Sequence, residues 1–256
     1  MKIQFLGAHN CESQNTRLVS LLIDDILAID AGALTSSLSF EAQLRIKAIL
    51  LTHQHYDHIR DIPAIGMNAL FHETTVNVYS TQTVYDALAT HVLNGKIYSH
   101  FLEKPEGNPI INFTIIEPNK VKQIAGYSIL TVPTNHSTPT VGYQITSPDG
   151  KIVFYTGDTG PDLADCWRHV SPQLLITEVT APNRYEEDAR RLLHLTPNLL
   201  KEELSYFQEL KGYLPQVVLV HMTPIQEKEI EAEIAVIAKS LNNPISLARE
   251  GMLIHL

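Results

Sequence analysis

Apolar residues recur along this chain in two rhythms. Short runs of strand length, bounded mostly by Gly, Asp, Asn or Pro, cover Lys2–Gly7 and residues 19–23, 26–29, 48–51, 76–79 and 113–116. A second set follows at residues 127–132, 141–146 and Ile152–Tyr155, and a Pro148-Asp149-Gly150 turn predicts that its last two runs form a hairpin. Across residues 39–46, 59–70, 83–93, 197–210 and 225–241, apolar positions instead return every three or four residues, the spacing of helices with one buried face. Strands and helices alternate, yet strands also follow one another closely, so two sheets with helices outside them fit better than one doubly wound sheet. The expectation is an α/β chain, a single domain over residues 1–256 made of two similar halves that divide near Pro133. Residues 94–119, with Gly95, Pro105, Gly107, Pro109 and Pro118, read as a long loop of the kind that selects a substrate.

Composition narrows the class. The 256 residues hold 19 Lys+Arg against 28 Asp+Glu, a net charge of −9, which leaves room for a full core and argues against indiscriminate binding to phosphate backbones. Two cysteines, Cys11 and Cys166, exclude a disulfide-stapled scaffold, so they read as free thiols and the expected location is cytoplasmic. The opening residues lack the apolar core of a signal peptide, and no apolar run approaches the ~18 residues of a membrane span, so no membrane partner is expected. The twelve histidines are the count that calls for an explanation.

Four potential ligands stand on one strand-to-helix turn, in Thr52-His53-Gln54-His55-Tyr56-Asp57-His58. Such a pattern arises by accident with odds of about one in a thousand over a chain of this composition. In an extended segment His53 and His55 point the same way, and the turn brings Asp57 and His58 round toward a neighbouring position. Later candidates also close apolar strands: His136 after residues 129–132, Asp158 after Ile152–Tyr155 and His221 after residues 217–220. Together they make five histidines and two aspartates, an inventory suited to two divalent ions, Zn in the first place, with Mn and Fe also compatible.

With these residues in view, the chain resembles the metallo-β-lactamase-fold hydrolases over nearly its whole length. Phe5-Leu6-Gly7 and Leu27-Ala28-Ile29-Asp30-Ala31-Gly32 match the family's opening, and the ligands follow in its order. The resemblance implies a four-layer αββα sandwich in which His53, His55 and His136 hold one metal, Asp57, His58 and His221 the other, and Asp158 bridges them. Ile176-Thr177-Glu178-Val179-Thr180 and His194-Leu195-Thr196-Pro197 are similar to motifs of its phosphodiesterase branch, which includes the ribonuclease Z and class II cyclic-nucleotide phosphodiesterase families. The aspartate at position 158 speaks against a lactamase. One departure is Asp61, where relatives carry glycine; an acid near a helix start is electrostatically acceptable there.

The resemblance implies hydrolysis of a phosphodiester, with His194 donating a proton to the leaving oxygen, Glu178 holding the other ring nitrogen, and Asp57 placed to take the proton of the attacking water. The acidic balance favours a small nucleotide-like or cyclic substrate over tRNA, and a ribonuclease Z-like nuclease is the alternative. Two other classes stay open. A di-iron redox protein would usually carry a carboxylate where His55 stands, and a non-catalytic sensor could share every ligand. Homodimers are common in the branch, so a second copy is a partner by analogy. His9 and Asn10 read as an exposed loop outside the site, Asp30 as either an orienting residue or a strand end, and His72, His91, His100, His169 and His255 as structural or surface residues.

Overall fold

The computed structural model describes Met1–Leu256 and separates into two compact units. One comprises Met1–Gly7, Arg17–Glu117 and Glu250–Leu256, the other Ala8–Thr16 and Pro118–Arg249. The division falls after Glu117, ahead of Pro133, because the chain has already entered the second sheet by Val121.

The first unit holds a seven-stranded sheet of β1 (Lys2–Gly7), β2 (Ser20–Ile23), β3 (Leu27–Ile29), β4 (Ala48–Leu50), β5 (Val76–Ser80) and β6 (Ile111–Ile115), with Leu253–His255 on the outer side of β1. β2, β3 and β4 are buried at every position and so read as unbroken apolar runs without alternation. β6 lies inside the expected 94–119 loop, which shortens the irregular stretch. The helix expected at 39–46 spans Phe40–Leu44 and starts from Ser39, whose side chain accepts from the Ala42 amide.

The single helix expected at 59–70 is two helices, Tyr56–Ile59 and Ile62–Phe71. The break has a tertiary cause: the Asp61 amide donates to Ala31 O at 2.8 Å. The Asp61 carboxylate accepts from the Thr35 amide at 2.7 Å, in the first turn of Leu34–Ser37, and from Arg60 Nε at 3.0 Å. The acid therefore serves a neighbouring helix start, a use that a glycine at position 61 could not supply.

The second unit has its own seven-stranded sheet: β7 (Val121–Ile124), β8 (Tyr127–Thr134), β9 (Thr140–Thr146), β10 (Ile152–Tyr155), β11 (Leu174–Glu178), β12 (Gln216–Val220) and β13 (Ile245–Leu247), in reverse order across the sheet. β9 and β10 form the expected hairpin. Pro197–Lys211 begins with proline in its first turn, ends at Gly212 in the left-handed region (φ 78°), and buries Leu199, Leu200, Leu204 and Phe207, each contributing about 1.5–3 kcal/mol through burial. Trp167 stands edge-on to both Phe154 and Phe207 in this core. Ala164–His169 and Glu186–Leu192 escaped the sequence reading because fewer than two turns show no clear period. No helix of the chain is long and apolar enough to cross a membrane.

The sheets share one pairing pattern, three antiparallel pairs followed by three parallel ones. In the first, β3 and β4 finish at the same edge. In the second, β8, β10, β11 and β12 all finish at one edge. The carboxyl ends of such strands are where α/β folds gather reactive side chains.

Candidate metal centre

The first unit's contribution begins where β4 gives way to an extended segment and then to the Tyr56–Ile59 helix. The rings of His53 and His58 approach to 4.2 Å between centroids and those of His53 and His55 to 4.6 Å, so the turn folds these histidines onto one another. Asp57 Oδ2 lies 3.4 Å from His58 Nε2. The turn is laced to the end of β3: the Ala31 amide donates to His58 O at 2.7 Å, and a Cβ on Gly32 would stand 2.4 Å from Asp57 O. Only glycine admits that approach.

Asp30 organises this half. It is fully buried and left-handed (φ 57°), and its carboxylate accepts from the Thr52 amide at 2.8 Å, the Thr52 hydroxyl at 3.0 Å and His58 Nδ1 at 2.7 Å. It is thus an orienting residue and more than a strand end. Because the carboxylate only accepts, His58 carries its proton on Nδ1 and keeps the lone pair on Nε2. The same logic passes one residue further. The Thr52 hydroxyl gives its proton to Asp30 and so accepts from His53 Nδ1 at 3.0 Å, which leaves the His53 lone pair on Nε2 as well.

In the second unit, His136 follows β8, Asp158 follows β10, Glu178 ends β11 and His221 follows β12. Asp158 Oδ2 lies 3.2 Å from His221 Nε2 and 4.0 Å from His136 Nε2. Ligand atoms of Asp158, Glu178, His194 and His221 all fall within 4.8 Å of one another. Here too each Nδ1 is tied down: that of His136 donates to Leu193 O at 3.0 Å, and that of His221 lies 2.8 Å from Thr180 Oγ1. Leu193 adopts φ 57° to offer this carbonyl, and a Cβ on Gly160 would meet the Leu193 backbone at 2.8 Å.

Glu178 is fully buried and accepts four hydrogen bonds, from the Thr159 amide (2.8 Å), the Leu195 amide (3.1 Å), Thr180 Oγ1 (2.6 Å) and His194 Nδ1 (2.7 Å). Burial pushes its carboxyl up, but the His194 charge and hydrogen bond outweigh that, and the group ionises below the usual carboxylate range. Burial likewise holds the His136 imidazole below its usual pKa against the pull of Asp158, which keeps the ring neutral as a metal ligand must be.

Two departures from the sequence reading concern supporting groups. His9 is 3% exposed and not a surface residue: it pairs with Met222 in an isolated parallel bridge, and its Nε2 lies 3.5 Å from Glu227 Oε2. Asn10 Nδ2 donates to Thr223 Oγ1 at 3.0 Å, so the opening loop braces the segment that follows His221. Thr52 and Thr180 stand in the motifs of the sequence reading without an assigned part, and the Leu193 carbonyl has none, because their bonds to imidazoles arise only on folding.

The donor chemistry of each unit fits divalent metal. Two imidazoles in each unit present Nε2 lone pairs, and each has its Nδ1 held by a carboxylate, hydroxyl or carbonyl, the arrangement that fixes the orientation of metal-ligating histidines. In the first unit the Asp57 carboxylate stands beside His58, and in the second that of Asp158 stands beside His221.

Comparison with known proteins agrees with this. The family model described as a β-lactamase superfamily domain matches residues 25–222. A 3′,5′-cyclic-nucleotide phosphodiesterase of Aliivibrio fischeri is 25% identical over 187 residues, which cover 66% of this chain and 55% of the relative. The chain therefore spans little more than half of that protein's length. The unliganded yeast PDE1 structure superposes with a TM-score of 0.85 at 16% identity, covering 100% of this chain and 99% of the other. The metallo-β-lactamase fold protein YhfI from Bacillus subtilis superposes with a TM-score of 0.78 at 18% identity, covering 99% of each. The fold of this chain is theirs.

Proposed function

The chain belongs to the β-lactamase superfamily, and from that premise we propose that it is a dinuclear metal-dependent phosphodiesterase acting on a small nucleotide-like or cyclic phosphodiester. His53, His55 and His136 would hold one ion and Asp57, His58 and His221 the other, with Asp158 shared between them; zinc suits this imidazole-rich set best. When bound, two such ions supply a nucleophile from water at neutral pH and neutralise charge on the phosphoryl oxygens.

The observation that carries the phosphodiesterase reading is the Glu178–His194 pair, a buried ionised carboxylate 2.7 Å from an imidazole that keeps 20% of its side chain exposed. Its geometry suits a general acid. Glu178 accepts from Nδ1 and stabilises the protonated ring, so Nε2 can give its proton to the leaving oxygen as the phosphorus–oxygen bond breaks. Asp57 takes the proton lost by the attacking water. Both protons then exchange with solvent, and the balance closes on one water consumed per diester cleaved.

The phosphodiesterase resemblance of the Aliivibrio fischeri relative supports this substrate class, and the net charge of −9 weighs against a large RNA. The test is to quantify metal in the purified protein and to assay bis-p-nitrophenyl phosphate, 3′,5′-cyclic AMP and a 3′-extended precursor tRNA side by side. About two ions per chain with turnover of the small diesters is the expected result, and cleavage of the tRNA alone would replace it with the ribonuclease Z reading. Metal without turnover on any of the three would overturn the phosphodiesterase assignment. His194→Ala is expected to keep its metal and lose roughly 10²–10⁴-fold in turnover. An unchanged rate would remove His194 from the mechanism.

A further inference from the structure

Thr180 stands two residues beyond Glu178, the carboxylate that ends β11, and its hydroxyl touches three functional side chains at once. Oγ1 lies 2.6 Å from Glu178 Oε2, 2.8 Å from His221 Nδ1 and 3.3 Å from His194 Nδ1. A threonine hydroxyl has one proton to give. An ionised Glu178 can only accept, so that proton goes to Oε2, and toward both imidazoles the hydroxyl oxygen can act only as an acceptor.

From this we infer that Thr180 is a positioning residue that fixes the tautomer of His221 and joins the proposed metal site to the proposed acid pair. His221 must carry its proton on Nδ1 to donate to Thr180, which commits its lone pair to Nε2, the atom 3.2 Å from Asp158 Oδ2. The same hydroxyl holds Glu178 in the orientation in which Oε1 receives His194 Nδ1 at 2.7 Å. One side chain thereby sets the directions of a ligand and of a proton donor. This use of Thr180 rests on the metal-centre reading above and names the group that couples its two parts.

The local backbone makes the hydroxyl separable from the fold. The Thr180 amide donates to Leu195 O at 3.0 Å, and Thr180 O accepts from the Thr223 amide at 3.1 Å. Valine keeps those bonds and nearly the same volume while removing the hydroxyl. Serine keeps the hydroxyl and removes a methyl group.

The experiment compares wild type, Thr180→Val and Thr180→Ser in three measurements: Zn affinity by competition with a chromophoric chelator, the tautomer of His221 by long-range ¹H–¹⁵N correlation in the metal-free protein, and turnover of bis-p-nitrophenyl phosphate. Thr180→Val is expected to weaken one of the two ions about 10–100-fold and to leave the other near the wild-type value. It is also expected to move His221 from a single Nδ1–H form toward a mixture, with Thr180→Ser restoring both. Native Trp167 emission reports that the second unit remains folded in each variant.

Retention of both ions at wild-type affinity with an unchanged His221 tautomer in Thr180→Val would overturn the inference. So would a Thr180→Ser variant as impaired as Thr180→Val, since the methyl group would then matter and not the hydroxyl. The affinity and tautomer measurements do not depend on which ester is hydrolysed. If wild type binds metal and cleaves none of the diesters, the substrate reading fails while the role of Thr180 is still read out.

Discussion

Exchanging Asp30 for asparagine keeps the size of the side chain and takes away one acceptor where two are required. Oδ1 of Asp30 accepts from the Thr52 amide at 2.8 Å and Oδ2 from His58 Nδ1 at 2.7 Å, and the residue is fully buried. The carboxamide has one oxygen and one NH2 group. If the oxygen faces His58, the NH2 confronts a buried amide that has lost its acceptor. If the oxygen faces Thr52, the NH2 confronts His58 Nδ1, and the ring can adapt only by moving its proton to Nε2. That shift places a proton on the nitrogen that the proposed ion would use.

The first outcome costs about 1–3 kcal/mol for a buried donor without an acceptor, the second trades away the Nε2 lone pair, and disturbing a group that orients a proposed ligand histidine is expected to weaken metal binding roughly 10–100-fold. Asparagine tolerates the left-handed backbone at this position (φ 57°), so the loss reports the missing acceptor and not backbone strain. Guanidinium unfolding of the metal-free protein and chelator competition with the loaded protein measure the two effects separately. Asp30→Asn is expected to lose about 1–3 kcal/mol in the first and about 10–100-fold in the second. A variant with an unchanged midpoint that binds both ions within twofold of wild type would refute the assignment of Asp30 as the organiser of His58.

Two further outcomes test the second unit away from the ligands. Glu203 is 8% exposed and accepts from Trp167 Nε1 and from the Asp162 amide, each at 2.7 Å, so Glu203→Leu leaves two donors without their acceptor and is expected to cost about 2–4 kcal/mol, read as an earlier unfolding midpoint in the emission of the single tryptophan. A midpoint within 0.5 kcal/mol of wild type, taken as ~0 change on the scale of surface substitutions, would show that this carboxylate is dispensable. For the thiols, Cys11 is exposed whereas Cys166 is buried, and burial first, then the Glu203 charge, push the Cys166 thiol far above its usual pKa. Ellman's reagent should therefore titrate one thiol in the native protein and the second only on unfolding; two fast thiols would contradict the packing around Trp167.

What the sequence made legible divides along physical lines. Elements announced by a period of their own were readable: Lys2–Gly7 and Ile152–Tyr155 have the bounds expected of them, and Pro197–Lys211 differs from the expected helix by one residue. Elements whose limits are set by partners far along the chain were not. The expected 59–70 helix breaks because the Asp61 amide finds Ala31 O, a bond that no local pattern announces. His9 is buried because residues 8–10 pair with Met222, more than two hundred positions away.

The same division runs through the candidate site. Ligand-type residues were visible because metal chemistry needs particular side chains, and those cluster at strand ends in His53, His55, Asp57 and His58. The groups that aim them were hidden, because a carboxylate, a hydroxyl and a backbone carbonyl serve equally well to receive an Nδ1 proton. His58 uses Asp30, His53 uses Thr52, His136 uses Leu193 O and His221 uses Thr180. Four acceptors of three kinds thus impose one result, a lone pair on Nε2. A sequence pattern records the candidate ligand; the tautomer that would make it one is a property of the folded acceptor beside it, and that is why Asp30 and Thr180 are the positions at which conservative substitutions discriminate most sharply between a metal centre and a mere cluster of histidines.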